Sequence, residues 1–279
     1  MRSSSTVHGA ISIVNAVATG FGSALGISLK VQVEIVAEKG SGITFRSGEC
    51  TPMIRHIIDN ILPEDFVKEN HLKVLISSEI PTGVGLKSSS AVSCAMALAC
   101  AGLVDNKIND TYVINSAING SIFAKTTITG AYDDSAACYY GGFVTTDNFG
   151  RKLLRTDPCN ADLVAIIQVP EKRQRGDISK LKLVSNLYSD AFNLAYAGDY
   201  WKAMILNGLL TSSILIENYL PARLALENGA LAAGISGNGP AVAAVAYREN
   251  VTNIMQALEI FPGMTIVSPV NNERASLVR

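Results

Sequence analysis

Residues 80–91 read IPTGVGLKSSSA and join an apolar run typical of a strand, HLKVLISSEI, to an alanine-rich run typical of a helix. A loop that leaves a strand and opens a helix turns unpaired backbone N–H groups, and the positive end of the helix dipole, toward its mouth. Gly83 and Gly85 let the backbone approach an anion closely, and the serines at 88–90 add hydroxyl groups. The stretch therefore predicts a phosphate-binding loop, with a tight turn and a serine N-cap as the plainer interpretation.

The composition predicts a globular protein that acts on a small molecule. The chain has 279 residues, 48% of them hydrophobic and 17% charged, with a formal net charge of -1. This length is enough for one large core or two closely packed lobes. Since no run of Lys or Arg is interleaved with aromatic residues, neither nucleic-acid binding nor membrane-surface binding is expected.

The sequence also favours a cytoplasmic location. Its five cysteines form no CxxC pair and lie mostly in apolar runs, which predicts reduced thiols that fill the core. Residues 1–20 resemble a signal peptide only superficially, because Asn15 interrupts the apolar stretch. The longest apolar run, residues 91–104, is shorter than the roughly 20 residues that a membrane span needs.

Periodicity predicts a mixed α and β fold in two lobes. Residues 29–35 alternate apolar and polar side chains, which is typical of a strand with one wet face. Thr51 and Pro52 form a helix start, followed by an apolar helical stripe through Ile61. Further helices are predicted over 91–103, 110–125, 177–197 and 199–215, and further strands over GGFVTTD, RKLLRTD, ADLVAIIQVP, AVAAVAY and MTIVSPV. A helix containing NIMQALEIF separates the last two strands.

Two common phosphate motifs do not fit the loop. The P-loop pattern requires glycine immediately before its lysine, and Leu86 stands there. The dinucleotide pattern GxGxxG has Ser88 in place of its third glycine and lacks a second strand after the helix. A nicotinamide-dependent enzyme is therefore a distant alternative.

The loop resembles the phosphate motif of the GHMP kinases, Pro-x-x-x-Gly-Leu-Gly-Ser-Ser-Ala, with Pro81, Gly85, Leu86, Ser88 and Ser89 in register. Lys87 stands where most members have glycine, and together with Ser90 it is similar to the archaeal type of shikimate kinase within that superfamily. Other stretches resemble further motifs of the family, in the same order: GAISIVNAVATGFGSALGISL at 9–29, TGAYDDSAACYYGG at 129–142 and GISGNGPA at 234–241.

The resemblance implies the α+β fold of these kinases, an ATP-binding lobe at 1–157 like domain 2 of ribosomal protein S5, and a ferredoxin-like lobe at 158–279. It further implies ATP and magnesium as cofactors, and transfer of phosphate to the 3-hydroxyl of shikimate in aromatic amino acid biosynthesis. Homoserine or mevalonate kinase activity is the alternative within the family. A non-catalytic nucleotide-binding regulator is the alternative outside enzymes, although it would be expected to lose the acidic pair Asp133 and Asp134.

The ATP site implied by the resemblance is the loop itself. Ser89 corresponds to the serine that contacts magnesium. Lys87 is expected either to neutralise charge on the ATP phosphates or to extend into solvent. The predicted ATP-binding residues are Pro81, Thr82, Gly83, Val84, Gly85, Leu86, Lys87, Ser88, Ser89, Ser90 and Ala91.

The proton acceptor implied by the resemblance is Asp134, which lies seven residues before Gly141 as the family pattern requires. The alternative role for Asp134 is that of a cap on a helix expected to begin at Ser135. Asp133 is left as a further cap, a metal ligand, or the base if the loop carries one inserted residue. Several family members have a magnesium-binding glutamate about ten residues earlier, and residues 121–129 contain none.

The substrate pocket should combine a cation for the carboxylate of shikimate with hydroxyl and amide groups for its hydroxyls. Lys172, Arg173 and Arg175 follow a predicted strand, and Arg173 is the first choice for the cation. A solvated surface run is the alternative for all three. The other predicted substrate-binding residues are Asn15, Thr19, Gly20, Ser23, Gly237 and Asn238.

Overall fold

The computed structural model describes residues 1–104, 107–127, 130–171 and 176–278. Within them lie the strands β1 (Arg2–Val14), β2 (Phe21–Lys39), β3 (Ile43–Ser47), β4 (Asn70–Ser78), β5 (Phe143–Asp147), β6 (Lys152–Asp157), β7 (Leu163–Pro170), β8 (Ala232–Ile235), β9 (Val242–Tyr247), β10 (Gly263–Pro269) and β11 (Ser276–Val278). The helices are α1 (Pro52–Ile61), α2 (Glu64–Glu69), α3 (Ser88–Val104), α4 (Asp110–Phe123), α5 (Tyr132–Tyr140), α6 (Ser185–Ala197), α7 (Tyr200–Leu215), α8 (Leu220–Glu227) and α9 (Val251–Leu258).

The strands form two sheets, so the predicted mixture of α and β is confirmed. The first has the order β11-β1-β2-β4-β3, with β5 paired to β2 and β6 paired to β5. The second has the order β10-β7-β9-β8 and is antiparallel throughout. The predicted boundary between 157 and 158 falls between the last residue of β6 and the start of β7, but β11 returns to the first sheet. The division into lobes at 1–157 and 158–279 stays a prediction.

Local sequence signals place the elements beside the phosphate loop. In β2, Val31, Val33 and Ile35 are fully buried, whereas the polar residues between them reach solvent, as the alternation predicts. The Thr51 hydroxyl accepts a hydrogen bond from the backbone N–H of Ile54 at 3.3 Å and caps α1. Both predictions of element type are confirmed.

The alanine-rich helix α3 is buried along nearly its whole length. It packs against β1, β2, α1, α4 and α5, and its small side chains permit close approach from every side. A helix that is apolar all round is expected at such a central position. Its N-terminus at Ser88 is thereby held in place at the end of the loop.

Several elements differ from the sequence expectation. The N-terminal stretch forms the long strand β1, and α8 and β8 occupy a region to which no element was assigned. Helix α6 begins at Ser185 rather than at 177, because residues Ile178–Val184 form a 3-10 turn capped by Asp177. Its predicted end is confirmed at Gly198, which has a φ of 93°.

All five cysteines are free thiols, and four are buried as predicted. Cys50 is exposed, so for that residue the expectation of a core position is wrong. Among the described residues, none of the helices combines the length and the apolar character that crossing a bilayer requires. The cytoplasmic location stays a prediction.

Candidate active site

The phosphate loop is held in place by hydrogen bonds to GISGNGPA at 234–241, the third glycine-rich stretch. The backbone N–H of Ala241 donates to the Val84 carbonyl at 3.2 Å, and the Ser236 hydroxyl donates to the Gly85 carbonyl at 2.8 Å. Gly85 has a φ of 97°, and a Cβ atom there would lie 2.0 Å from the Ser236 carbonyl oxygen. Only glycine fits this position, so the loop and the stretch at 234–241 form one rigid unit.

A cleft of about 490 Å³ opens in front of this unit and the N-terminus of α3. The residues that line the cleft come from segments far apart in the chain: Ser12, Asn15, Ala16, Val17, Gly83, Gly85, Leu86, Lys87, Ser88, Ser89, Ser90, Ser121, Lys125, Thr126, Thr127, Ala131, Asp133, Asp134, Ile178, Gly237 and Asn238. Of the eight loop positions from 83 to 90, seven line the cleft, and Val84 is the exception. Val84 and Ala91 are fully buried, and Pro81 and Thr82 lie outside the described lining.

The two predicted acids lie in the first turn of α5. This helix begins at Tyr132, so the expectation that it begins at Ser135 with Asp134 as its cap is wrong. Gly130 and Ala131 both have positive φ, 84° and 48°, and they turn the chain so that the helix starts three residues earlier. The positive end of the helix dipole favours negative charge at both acids.

Lys87 crosses the cleft floor from the loop to α5. Its ammonium group lies 2.7 Å from Oδ1 of Asp134 and donates a hydrogen bond to the Ser12 hydroxyl, also at 2.7 Å. The Lys87 side chain is only 5% exposed, so the alternative that it extends into solvent is wrong. Burial alone would lower the pKa of Lys87, but the carboxylates of Asp134 and Asp133 outweigh burial and raise it. The lysine is thus a fixed positive charge beside Asp134.

Asp133 also lines the cleft, but only 4% of its surface is exposed. The Asn148 amide donates to its Oδ1 at 2.7 Å, and the Asp133 backbone N–H donates to Oδ1 of Asn148 at 3.1 Å. Gly22 packs so closely that a Cβ atom there would lie 2.4 Å from Oδ2. Burial, together with the charge of Asp134, raises the pKa of Asp133 to about 7. The environments of the two acids therefore differ.

The N-terminal stretch meets the third glycine-rich stretch at the far wall of the cleft. The Asn15 side-chain amide donates to the Gly237 carbonyl at 2.9 Å and to Oδ1 of Asn238 at 3.0 Å. The backbone N–H of Gly237 donates to the Ser12 hydroxyl at 2.9 Å. Three predicted substrate-binding residues, Asn15, Gly237 and Asn238, are thereby brought together.

The other predicted substrate-binding residues do not line the described cleft. The Thr19 hydroxyl bonds to the backbone of Phe21, and a Cβ atom at Gly20 would clash with the ring of Phe149. The Ser23 hydroxyl is fully buried and donates to the Val144 carbonyl at 2.8 Å. Lys172, Arg173 and Arg175 lie outside the described residues, so the role of Arg173 stays a prediction.

Sequence reasoning missed two residues that position the site. Ser12 lies within the quoted N-terminal stretch, but as one of many serines it carried no distinguishing signal. Asn148 lies in the turn directly after β5, a place where asparagine is common, so its residue type gave no signal of a further role. Both positions acquire their importance through contacts with residues distant in the sequence.

The residues around the loop fit a magnesium ion bound chiefly through phosphate oxygens. Ser89 is exposed at the cleft, and its hydroxyl lies 3.6 Å from the sulfur of Met53. Within the described residues, no group of three or more His, Cys, Asp or Glu side chains lies close enough together to hold a metal ion. Magnesium commonly takes only one or two protein oxygens beside substrate phosphates and water, and the Ser89 hydroxyl suits that arrangement.

A glycine-serine loop between a strand and a helix, beside a lysine-paired aspartate, is the arrangement expected of a phosphotransferase site. Family models agree: GHMP kinases N terminal domain matches residues 53–142, and GHMP kinases C terminal matches residues 222–262. The chain belongs to the GHMP kinases, and it is an ATP-dependent small-molecule kinase. The distant alternative of a nicotinamide enzyme is wrong.

Curated relatives from archaea match nearly the whole chain. A shikimate kinase of Methanothermobacter thermautotrophicus is 33% identical over 274 residues, covering 95% of this chain and 94% of the relative. A shikimate kinase of Methanothrix thermoacetophila is 34% identical over 279 residues, covering 99% and 96%. The suspected resemblance to the archaeal type is confirmed.

Solved structures show the same fold at low sequence identity. A homoserine kinase from Cytophaga hutchinsonii matches with a TM-score of 0.75 and 20% identity, covering 99% of this chain and 97% of that one. Mevalonate kinase from L. major matches with a TM-score of 0.74 and 17% identity, covering 96% of each chain. The predicted fold class is confirmed.

Proposed function

We propose that this chain transfers the terminal phosphate of ATP to the 3-hydroxyl of shikimate, with magnesium as the metal ion. The main observation in support of phosphate transfer is the ion pair between Lys87 of the phosphate loop and Asp134 of α5, in which Nζ and Oδ1 are 2.7 Å apart. The identity of the acceptor is supported by the full-length relatives named shikimate kinase. The homoserine and mevalonate alternatives are supported by solved structures at 20% and 17% identity, which show likeness of fold.

The phosphates are expected to occupy the mouth of the loop. The N-terminus of α3, with its unpaired backbone N–H groups and the positive end of the helix dipole, lies there, and Ser88, Ser89 and Ser90 are among the lining residues. A magnesium ion, when bound, neutralises phosphate charge, and the Ser89 hydroxyl is the residue proposed to hold it. Since phosphoryl transfer depends mainly on positioning and charge neutralisation, this rigid cradle supplies much of what the reaction needs.

Asp134 is the proposed proton acceptor for the acceptor hydroxyl. It keeps 21% of its side chain exposed toward the cleft, whereas Asp133 is buried and held by Asn148. Lys87 fixes the orientation of the Asp134 carboxylate, and Ser12 fixes Lys87. Because Lys87 also belongs to the phosphate loop, the base is positioned by the same segment that holds the nucleotide.

The far wall of the cleft is suited to a polyhydroxylated acceptor. The Asn15 side-chain amide donates to Gly237 and Asn238, so its main contribution is to stabilise the wall and not to bind the acceptor directly. Asn238 accepts from Asn15 through Oδ1, and its own amide NH2 group is the proposed donor to a hydroxyl of the acceptor. For the carboxylate of shikimate, Arg173 remains the proposed partner.

The test is a coupled ADP-release assay against shikimate, homoserine, mevalonate and galactose, with Asp134→Asn as the inactive control. We expect kcat/KM for shikimate to exceed that for every other acceptor by at least about 100-fold, since a site built for specific polar groups rejects analogues that lack them. Preference for another acceptor would overturn the substrate assignment. ADP release with none of the four, alongside intact ATP binding, would favour the non-catalytic regulator.

A further inference from the structure

The described lining of the cleft contains two ammonium groups with different environments. That of Lys87 is neutralised by Asp134 and held by Ser12. That of Lys125 belongs to an exposed side chain, and within the described part of the chain it has no acidic partner within ion-pair distance. Lys125 therefore brings an uncompensated positive charge to a cleft that also contains Asp133 and Asp134.

The backbone directs Lys125 into this position. It follows the C-terminal end of α4 with a φ of 55°, in the left-handed region that lysine seldom adopts. Its N–H donates to the Ile122 carbonyl at 3.0 Å, and the next residue, Thr126, donates to the Ser121 carbonyl through both its N–H and its hydroxyl. These bonds end α4 in a fixed turn whose residues line the cleft. A strained lysine at a cleft is a reason to look for a function there.

Contacts of Met53 show which part of the cleft this turn adjoins. The Met53 sulfur lies 3.6 Å from the Ser89 hydroxyl and 3.5 Å from the Ser121 hydroxyl. The end of α4 thus packs beside the serines of the phosphate loop. By contrast, the wall expected to hold the acceptor, formed by Asn15 and Asn238, is tied to the third glycine-rich stretch.

We propose that Lys125 binds the terminal phosphates of the nucleotide, a role that rests on the proposed function in placing ATP at the loop. The triphosphate brings several negative charges to a cleft whose described lining has two carboxylates, Asp133 and Asp134, and two ammonium groups, of which Lys87 is already paired with Asp134. A lysine acts on phosphate as a mobile point charge on a long stem, which suits a side chain that enters from the edge of the cleft. Lys125 thus belongs to the phosphate end of the site, beside the serines at the start of α3.

The experiment measures nucleotide binding without an acceptor, by calorimetry at fixed magnesium and salt concentrations. Lys125→Met is compared with Lys107→Met, which removes the same charge from an exposed residue just before the other end of α4, about 20 Å away along the helix. We expect Lys125→Met to weaken ATP binding by about 10- to 100-fold, the scale of a lost charge-assisted hydrogen bond, and to leave AMP binding unchanged. Lys125→Arg should retain most of the affinity, and Lys107→Met should bind like the wild type.

Two results would overturn the proposal. One is wild-type ATP affinity in Lys125→Met, which would show that the lysine does not bind the phosphates; a raised KM for the acceptor in a separate kinetic assay would then assign it to the acceptor side. The other is an equal loss of ATP and AMP binding, which would indicate a contact with the nucleoside or a general distortion. Because no acceptor is present, a wild-type enzyme that binds ATP but phosphorylates none of the tested alcohols would refute the proposed function and leave this test valid.

Discussion

Removing the Lys87 ammonium group should cost both stability and turnover, because it is the counter-charge of Asp134. At their separation of 2.7 Å, two unit charges attract by about 6 kcal/mol at an effective dielectric constant of about 20. Much of this attraction offsets the desolvation of the two ions. Since Asp134 keeps 21% exposure, we expect a coupling energy of about 2 kcal/mol, below the roughly 3–5 kcal/mol lost when a fully buried pair is broken.

The assay is a double-mutant cycle of Lys87→Met and Asp134→Asn, followed by urea unfolding. The chain has one tryptophan, Trp201, whose ring lies 5.3 Å from that of Phe143 and provides a fluorescence probe. Each single variant should lose about 2 kcal/mol or more, and the double variant should lose clearly less than the sum. In the coupled ADP assay, Lys87→Met should lose at least about 100-fold in kcat.

The matched control is the pair of Lys73 and Glu38, which are 2.6 Å apart but carry 28% and 53% side-chain exposure. The cycle of Lys73→Met and Glu38→Gln should give a coupling energy of only about 0–1 kcal/mol, with unchanged kcat. If the coupling energy from the Lys87–Asp134 cycle is no larger than that from the Lys73–Glu38 cycle, Lys87 and Asp134 do not act as a buried pair. Wild-type kcat in Lys87→Met would refute the role of the lysine in positioning the base.

The remaining predictions concern the acids and the loop. Asp134→Asn should fold, bind ATP and lose about 100-fold or more in turnover, whereas Asp133→Asn should lose less; the reverse order would show that Asp133 is the base. Because burial and the charge of Asp134 raise the pKa of Asp133 from 3.8 to about 7, the folded state holds this proton more tightly than the unfolded chain. The protonated Asp133 carboxyl group therefore stabilises the folded state fully below about pH 4, and this stabilisation is lost as pH rises through about 7. Asp133→Asn should flatten the resulting fall in the urea midpoint between about pH 4 and 8. An unchanged slope would contradict this. Ser89→Ala should raise the magnesium concentration needed for half-maximal activity severalfold, and an unchanged requirement would remove Ser89 from the metal site.

Local sequence patterns were sufficient where neighbouring residues determine the structure. Three features were found in this way: the alternation in β2, the Thr51 cap of α1 and the glycine-serine loop before α3. Each depends on a backbone preference or a burial period that extends over only a few residues. The motifs also kept their order along the chain, which was enough for the resemblance to identify the family. For the same reason, short elements without a strong pattern, such as α8 and β8, were not found.

The tertiary structure decided how these segments meet. The sequence left Lys87 open between a phosphate ligand and a solvated side chain, and the fold paired it with Asp134 and Ser12. It also separated two adjacent acids, because Asn148 and Gly22 enclose Asp133 while Asp134 faces the cleft. Such contacts join residues far apart in the chain, up to 225 positions for Ser12 and Gly237. No local preference encodes them, since they arise only when the sheets and α3 have packed and excluded water from the site.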